Sequence, residues 1–278
     1  MTELPDTGHI RLEAQGPVLR LWLNRPELRN AMSSQMVREI LATFAAIRED
    51  RNVRVVVLRG AGGTFCAGAD LKSLAAGAAE APPAGTADAP GDLEQSNRRF
   101  GLMMETVDSA PQAVIAAVEG YAMGGGFGLA CVADITVATE DARFAMTEAT
   151  LGLVPAAISP FVVRRIGLTA ARRFGVSGAR LTGEQAREVG IAHLTVKSAA
   201  ALDAAVTDAI NQILQCAPGA VAETKRLMLR AAGPAPMPEL LDQAAESFAR
   251  AVRGEEGREG TRAFVEKRKP AWVMKLEG

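Results

Sequence analysis

The chain has 278 residues, enough to bury a substantial core as one large domain or a domain with an appendage. Hydrophobic residues make up 48% and charged residues 23%, and a net charge of −1 gives neither a basic footprint for nucleic acid nor a basic face for a membrane. Three cysteines without metal-ligand spacing, an N-terminus lacking the basic and apolar regions of a signal peptide, and no apolar run of spanning length lead to the expectation of a cytoplasmic protein without a metal.

Residues 10–24 hold two short alternating runs around Gln15-Gly16-Pro17, a pattern that predicts a β-hairpin. Asn24-Arg25-Pro26 ends its second strand, because proline cannot donate to a ladder. Ser33 is a natural N-cap for a helix whose apolar positions Met36, Val37, Ile40, Leu41 and Phe44 fit a period of 3.6. Val53 to Leu58 is apolar on both faces, as a strand covered on both sides would be. Residues 75–91 are low-complexity Ala/Gly/Pro and predict a mobile loop. A helix is expected from about Leu93 to Ser109, then a strand over 113–118, a glycine-rich turn, a helix through Val132 and a strand over Ile135 to Ala138. From about residue 157 the chain reads as helical, with a short strand at 193–196 and apolar stripes in 202–214, 220–231 and 238–252. That much apolar helical surface near the C-terminus suggests an oligomer.

Two stretches carry the chemistry. Thr64-Phe65-Cys66-Ala67-Gly68-Ala69-Asp70-Leu71-Lys72 follows the strand at 53–58, and Glu119-Gly120-Tyr121-Ala122-Met123-Gly124-Gly125-Gly126-Phe127-Gly128-Leu129-Ala130 follows the strand at 113–118. Strand-to-helix turns with so little side-chain bulk can bring two backbone N–H groups to one ligand oxygen, which is what an oxyanion hole requires. Gly125 stands where a helix begins, so its amide is unpaired and the helix dipole favours negative charge there. Glu148, in Phe144-Ala145-Met146-Thr147-Glu148, supplies a proton-transfer group; enclosure by Phe144, Met146, Leu151 and Val154 would raise its pKa. Each feature also has a plain reading: the glycines as close packing, Asp70 and Glu148 as helix-start residues. His9 and His193 have no nucleophile or metal partner in view, and Glu119 and Asp134 read as fold residues.

Together these stretches resemble the crotonase (enoyl-CoA hydratase/isomerase) superfamily from about Ile10 to the C-terminus. The resemblance implies an α/β fold, a crotonase-like spiral of ββα units with a C-terminal helical trimerisation region. Residues 1–200 would form the core with the CoA and catalytic site, and 201–278 the oligomerisation region of a homotrimer or dimer of trimers. It implies an acyl-CoA thioester substrate, with coenzyme A part of the substrate and no separate cofactor. Ala69 and Gly125 would be the oxyanion donors and Glu148 the proton-transfer residue. Substrate contacts would come from Arg25, Arg29, Ala31, Ala67, Asp70, Leu71, Lys72, Gly124, Gly128 and Lys267.

One departure is informative. Two-glutamate hydratases carry a second carboxylate three residues after the oxyanion glycine, and here that position is Gly128. The missing charge, and the volume expected beside it, point to an anionic acyl group. The run Leu151 to Gly167 resembles the subgroup of 3-methylglutaconyl-CoA and isohexenylglutaconyl-CoA hydratases. A Δ3-Δ2-enoyl-CoA isomerase, which needs a single glutamate, and a non-catalytic CoA-ester or RNA-binding relative are the alternatives.

Overall fold

A computed structural model describes residues 3–72, 74–75 and 92–276. The expected loop at 75–91 lies, apart from Ala75, outside the described residues. The chain opens with β1 (Ile10–Gln15), β2 (Val18–Leu23), α1 (Ser34–Ile47) and β3 (Val55–Gly60). Next come α2 (Asp92–Asp108), β4 (Ala113–Val118), β5 (Tyr121–Met123), α3 (Gly125–Val132), β6 (Ile135–Thr139) and β7 (Arg143–Ala145). The remainder is α4 (Ser159–Ser177), β8 (Leu181–Thr182), α5 (Gly183–Glu188), β9 (Leu194–Val196), α6 (Ala199–Ile213), α7 (Pro218–Ala231), α8 (Met237–Arg253) and α9 (Glu255–Val265).

Six strands form one sheet in the order β1-β2-β3-β4-β6-β9. The hairpin is antiparallel and every other pair is parallel, the arrangement that β-turn-α connections produce. Successive side chains leave opposite faces, and both faces are covered. Leu19, Leu21, Val56, Leu58, Val114, Ala116 and Val118 pack toward α1, α2 and α3. Val18, Val55, Val57, Ile115, Ala117 and Val137 pack against Leu202, Val206, Ala209 and Ile210 of α6, against Leu214 that caps it, and against Leu276. Thus α6, which begins at Ala199 and runs across the boundary expected at residue 200, forms a layer of the core.

The strand expected at 53–58 runs two residues later, because Arg54 turns inward. Its Nη1 donates to Trp272 O at 2.6 Å, and its Nη2 donates to Leu214 O at 3.3 Å and to Cys216 O. A cation on the exposed carbonyls ending a helix complements its dipole and ties the C-terminal segment to the sheet. Ser33 caps α1 as expected, accepting from Met36 N at 3.1 Å.

A second, three-stranded sheet has the order β5-β7-β8. Single bridges, Cys66 with Ala122 and Met32 with Ala69, extend it toward the first glycine-rich turn. Strands of two or three residues carry no readable alternation, and the sequence does not announce this sheet. It lies on the α1–α3 side and positions both turns.

Candidate functional site

Two loops meet to frame the first turn. Asn30 is fully buried in a left-handed conformation (φ 57°), and its Nδ2 donates to Ala61 O and Thr64 O at 2.8 and 2.6 Å. Its Oδ1 accepts from Arg25 N at 2.9 Å. Ala67 N donates to Arg29 O, Met32 N to Gly68 O and Asp70 N to Met32 O, at 2.9, 2.8 and 3.0 Å. The bridge occupies the groups on either side of Ala69, so the Ala69 amide faces away from Met32. Among the described residues nothing accepts from it.

The second turn is built around Gly124, whose φ of 48° and ψ of −113° suit only glycine. Gly124 N donates to Ala145 O at 2.9 Å, and α3 begins at the next residue. The Gly125 amide likewise has no acceptor among the described residues. A Cβ on Gly124 would stand 3.8 Å from Gly68 Cα, so the two turns are in contact. Ala69 and Gly125 each follow one of these touching glycines. The geometry brings both expected donors to one place.

Glu148 completes the group. It opens a short 3-10 helix, Glu148–Leu151, after β7. Its Oε1 would lie 3.0 Å from a Cβ on Gly124, placing the carboxylate beside the junction of the turns. Its Oε2 is buried and accepts no hydrogen bond among the described residues. Burial pushes the Glu148 pKa above the ordinary carboxylate value, against a smaller opposing pull from its own amide. Phe144 and Met146 are buried near it in sequence as expected, but Leu151 and Val154 are exposed and do not enclose the carboxyl. A carboxylate with an unsatisfied buried oxygen beside two unoccupied amides is an arrangement suited to proton transfer next to an anion.

Gly128 corrects an expectation. A Cβ there would lie 2.4 Å from Ile158 Cγ2 and 3.2 Å from Met104 Cε. The volume that a second glutamate would take is filled by an aliphatic side chain, so Gly128 opens no space for substrate. The missing charge stands; the expected cavity does not. Phe100 performs the matching role at Gly125, its Cζ lying 2.7 Å from where a Cβ would be.

The remaining expected contacts divide. Arg25 Nη1 reaches Asp70 Oδ2 at 2.9 Å and Ala31 O at 2.8 Å, with both charged groups largely covered. This pair joins the loops, so Arg25, Asp70 and the Ala31 carbonyl act in the architecture of the turn. Arg29 is exposed, its guanidinium 5.7 Å from the Tyr121 ring, and Leu71 and Lys72 are exposed at the start of a helical turn. These groups border the first turn, where a phosphate-bearing ligand can reach them. Lys267 ends α9 in a left-handed conformation (φ 53°). The segment after it packs on α6, with Trp272 Nε1 donating to Gln215 O at 3.0 Å, across the six-stranded sheet from Glu148. Within one chain Lys267 is therefore not brought to the site.

Glu119 pairs with Arg59 at 2.8 Å, and Asp134 holds Val114 N at 2.7 Å and pairs with Lys225, so both serve the fold. His193 accepts from Thr136 N at 2.9 Å, and His9 meets the capping Ser33. Burial pushes the thiols of Cys66 and Cys131 up to about 12, far from the ionisation a nucleophile needs. Among the described residues no cluster of His, Cys, Asp or Glu can hold a metal, and no helix is long and apolar enough to cross a membrane. Phe100 and Ile158 were not singled out from sequence, and Asn30 was expected only as part of the substrate-holding loop from Asn24 to Ala31, not as the buried side chain that anchors it.

The sheet order, the paired turns and the lone carboxylate define a crotonase fold. The chain belongs to the enoyl-CoA hydratase/isomerase family, whose model, described as Enoyl-CoA hydratase/isomerase, matches residues 13–275. Among solved structures it is similar to Pseudomonas aeruginosa AtuE, with 48% identity, a TM-score of 0.90, and coverage of 96% of this chain and 100% of that one. An enoyl-CoA hydratase/isomerase from Marinobacter aquaeolei is 46% identical with a TM-score of 0.88, covering 96% of this chain and 99% of its own. Among curated proteins, the carnitinyl-CoA dehydratase of Proteus mirabilis is 34% identical over 269 residues, spanning 95% of this chain and 97% of the relative.

Proposed function

We propose that the protein is an enoyl-CoA hydratase that adds water across the C2=C3 bond of a branched glutaconyl-type CoA thioester, with 3-methylglutaconyl- and isohexenylglutaconyl-CoA as the leading substrates. The observation that carries the reading is the Glu148 carboxylate, its Oε2 buried and unpartnered among the described residues, beside the junction of two turns whose amides at Ala69 and Gly125 are unoccupied. As water attacks C3, negative charge develops on the thioester oxygen. The two amides stabilise that enolate, and Glu148 moves the proton between water and C2. A pKa raised by burial suits a group that must take and return a proton near neutral pH.

The anionic acyl group is supported by what stands at residue 128. A second carboxylate there would repel a distal carboxylate on the substrate, and Gly128 capped by Ile158 does not. The carnitinyl-CoA dehydratase relatives are named for a different acyl group, so the substrate panel includes their thioester. Coenzyme A enters as part of the substrate, along the loop that holds Arg29, Ala31, Ala67, Leu71 and Lys72. Exposed Phe248, Phe264 and Val265 on α8 and α9 support assembly into a homotrimer or dimer of trimers.

The test is turnover in ¹⁸O-labelled D₂O on crotonyl-, 3-methylglutaconyl-, isohexenylglutaconyl- and 3-enoyl-CoA, with carnitinyl-CoA followed separately for loss of water. Heavy oxygen at C3 with preference for the carboxylated esters supports the proposal. Equal turnover of crotonyl and glutaconyl esters removes the substrate assignment. Double-bond migration without oxygen uptake means the isomerase reading, which a lone glutamate also serves.

A further inference from the structure

The helix α2 is in register with α3. Phe100 of α2 covers Gly125, Gly101 faces Ala157 with 3.9 Å between its added Cβ and the Ala157 Cβ, and Met104 covers Gly128. Residue pairs 100 with 125 and 104 with 128 ascend together, so the two helices run parallel. The face of α2 turned to the site is therefore the stripe through Phe100, Gly101 and Met104.

Extending that stripe by one turn toward the N-terminus reaches Asn97, three residues before Phe100 and four before Gly101. Asn97 is exposed, whereas Met104 on the same stripe is buried. At about 1.5 Å per residue it lies about 4.5 Å farther along the axis than Phe100. Helix α3 begins at Gly125, opposite Phe100, so by helical phase and rise Asn97 lies one turn beyond the N-terminus of α3, on the side of the Gly124 turn that the Glu148 carboxylate adjoins. The neighbouring Arg98 and Arg99 fall on other faces of the helix by the same phase. A polar amide is the group that this otherwise apolar stripe presents to an acyl chain leaving the oxyanion position.

We infer that Asn97 is a specificity-determining residue, its side-chain amide donating a hydrogen bond to a carboxylate on the acyl group. This rests on the carboxylated substrate proposed above. A neutral donor suits the task because it recognises an anion without neutralising the nearby Glu148.

The experiment compares wild type, Asn97→Ala and Asn97→Asp on 3-methylglutaconyl-CoA and crotonyl-CoA, reading kcat and KM separately. Alanine is favoured at an exposed helical position, and circular dichroism checks that each variant is folded. The ratio of kcat/KM for the carboxylated ester over crotonyl-CoA should fall about tenfold in Asn97→Ala, and further in Asn97→Asp through like-charge repulsion. An unchanged ratio in folded variants, where wild type prefers the carboxylated ester, overturns the role of Asn97 and leaves the substrate reading intact. A wild type without that preference overturns the substrate reading, and the Asn97 assignment falls with it.

Discussion

The two faces of the six-stranded sheet use the same strands to opposite ends. On the α6 face, valines, isoleucines and leucines interlock, and the charged group buried there, Arg54, gives Nη1 and Nη2 to the carbonyls of Leu214, Cys216 and Trp272, leaving only its Nε without a partner among the described residues. The α1–α3 face is likewise covered by a buried apolar cluster, yet Glu148 Oε2 and the amides of Ala69 and Gly125 beside it have no partners among the described residues. Buried polar groups are ordinarily satisfied, and leaving one open costs about 1–3 kcal/mol. One face is arranged for stability. The other holds its polar groups ready for something that arrives later.

That contrast can be broken most severely at Glu148. Glu148→Gln keeps the shape and removes proton transfer, so kcat should fall by about 10²–10⁴ with KM for the CoA ester little changed. A variant retaining more than a tenth of wild-type turnover would remove Glu148 from the chemistry. Gly124→Ala comes next. It forces a side chain into a left-handed backbone and sets a Cβ 3.0 Å from the Glu148 carboxylate. Turnover should fall about 10²-fold, the scale of losing one oxyanion donor. Steady-state kinetics on the folded variant provides the check.

On the opposite face the expected outcome reverses. Arg54→Met strips its donors from the carbonyls at the end of α6 and should destabilise by about 1–3 kcal/mol in urea denaturation. Activity per folded molecule should be unaffected, and a matching loss of kcat would show that the faces are coupled.

The smallest effect sharpens the comparison most. Glu148 has a folded pKa above its unfolded value, so ionising it in place is unfavourable. Between those two pKa values the folded state binds more protons, and wild-type stability falls as pH rises through the folded pKa. Glu148→Gln should therefore have a higher Tm than wild type at pH 8, with the gap closing as pH drops below the unfolded pKa. A Tm gap independent of pH would mean that the carboxylate is not strained by burial. The acidic limb of the kcat/KM profile should correspondingly lie above the ordinary carboxylate range.

Much of this was legible before any coordinates. The glycine-rich turns, Glu148, the cap at Ser33 and the long helices depend on local chemistry, and local chemistry is written in consecutive residues. The small sheet was not legible, because its strands are too short to show alternation. Ile158 over Gly128 was hidden for a different reason: thirty residues separate them, and no periodic pattern links a glycine to the side chain that fills it. Arg54 shows a third kind of failure. Its place in an apolar run suggested a strand residue, while its destination was a helix end about 160 residues away. The proposed enclosure of Glu148 by Leu151 and Val154 failed because a 3-10 turn directs neighbours outward.

The bridge between Met32 and Ala69 has a consequence for how this family can vary. Along an extended segment, amides point alternately to one side and the other. The pairing of Met32 with Ala69 thus decides which amides of residues 68–70 are taken up by the chain and which one is left open. Inserting a single residue into the loop of residues 29–32 would shift that pairing by one and leave a different amide open, so the loop's length counts alongside the buried Asn30 side chain that anchors it.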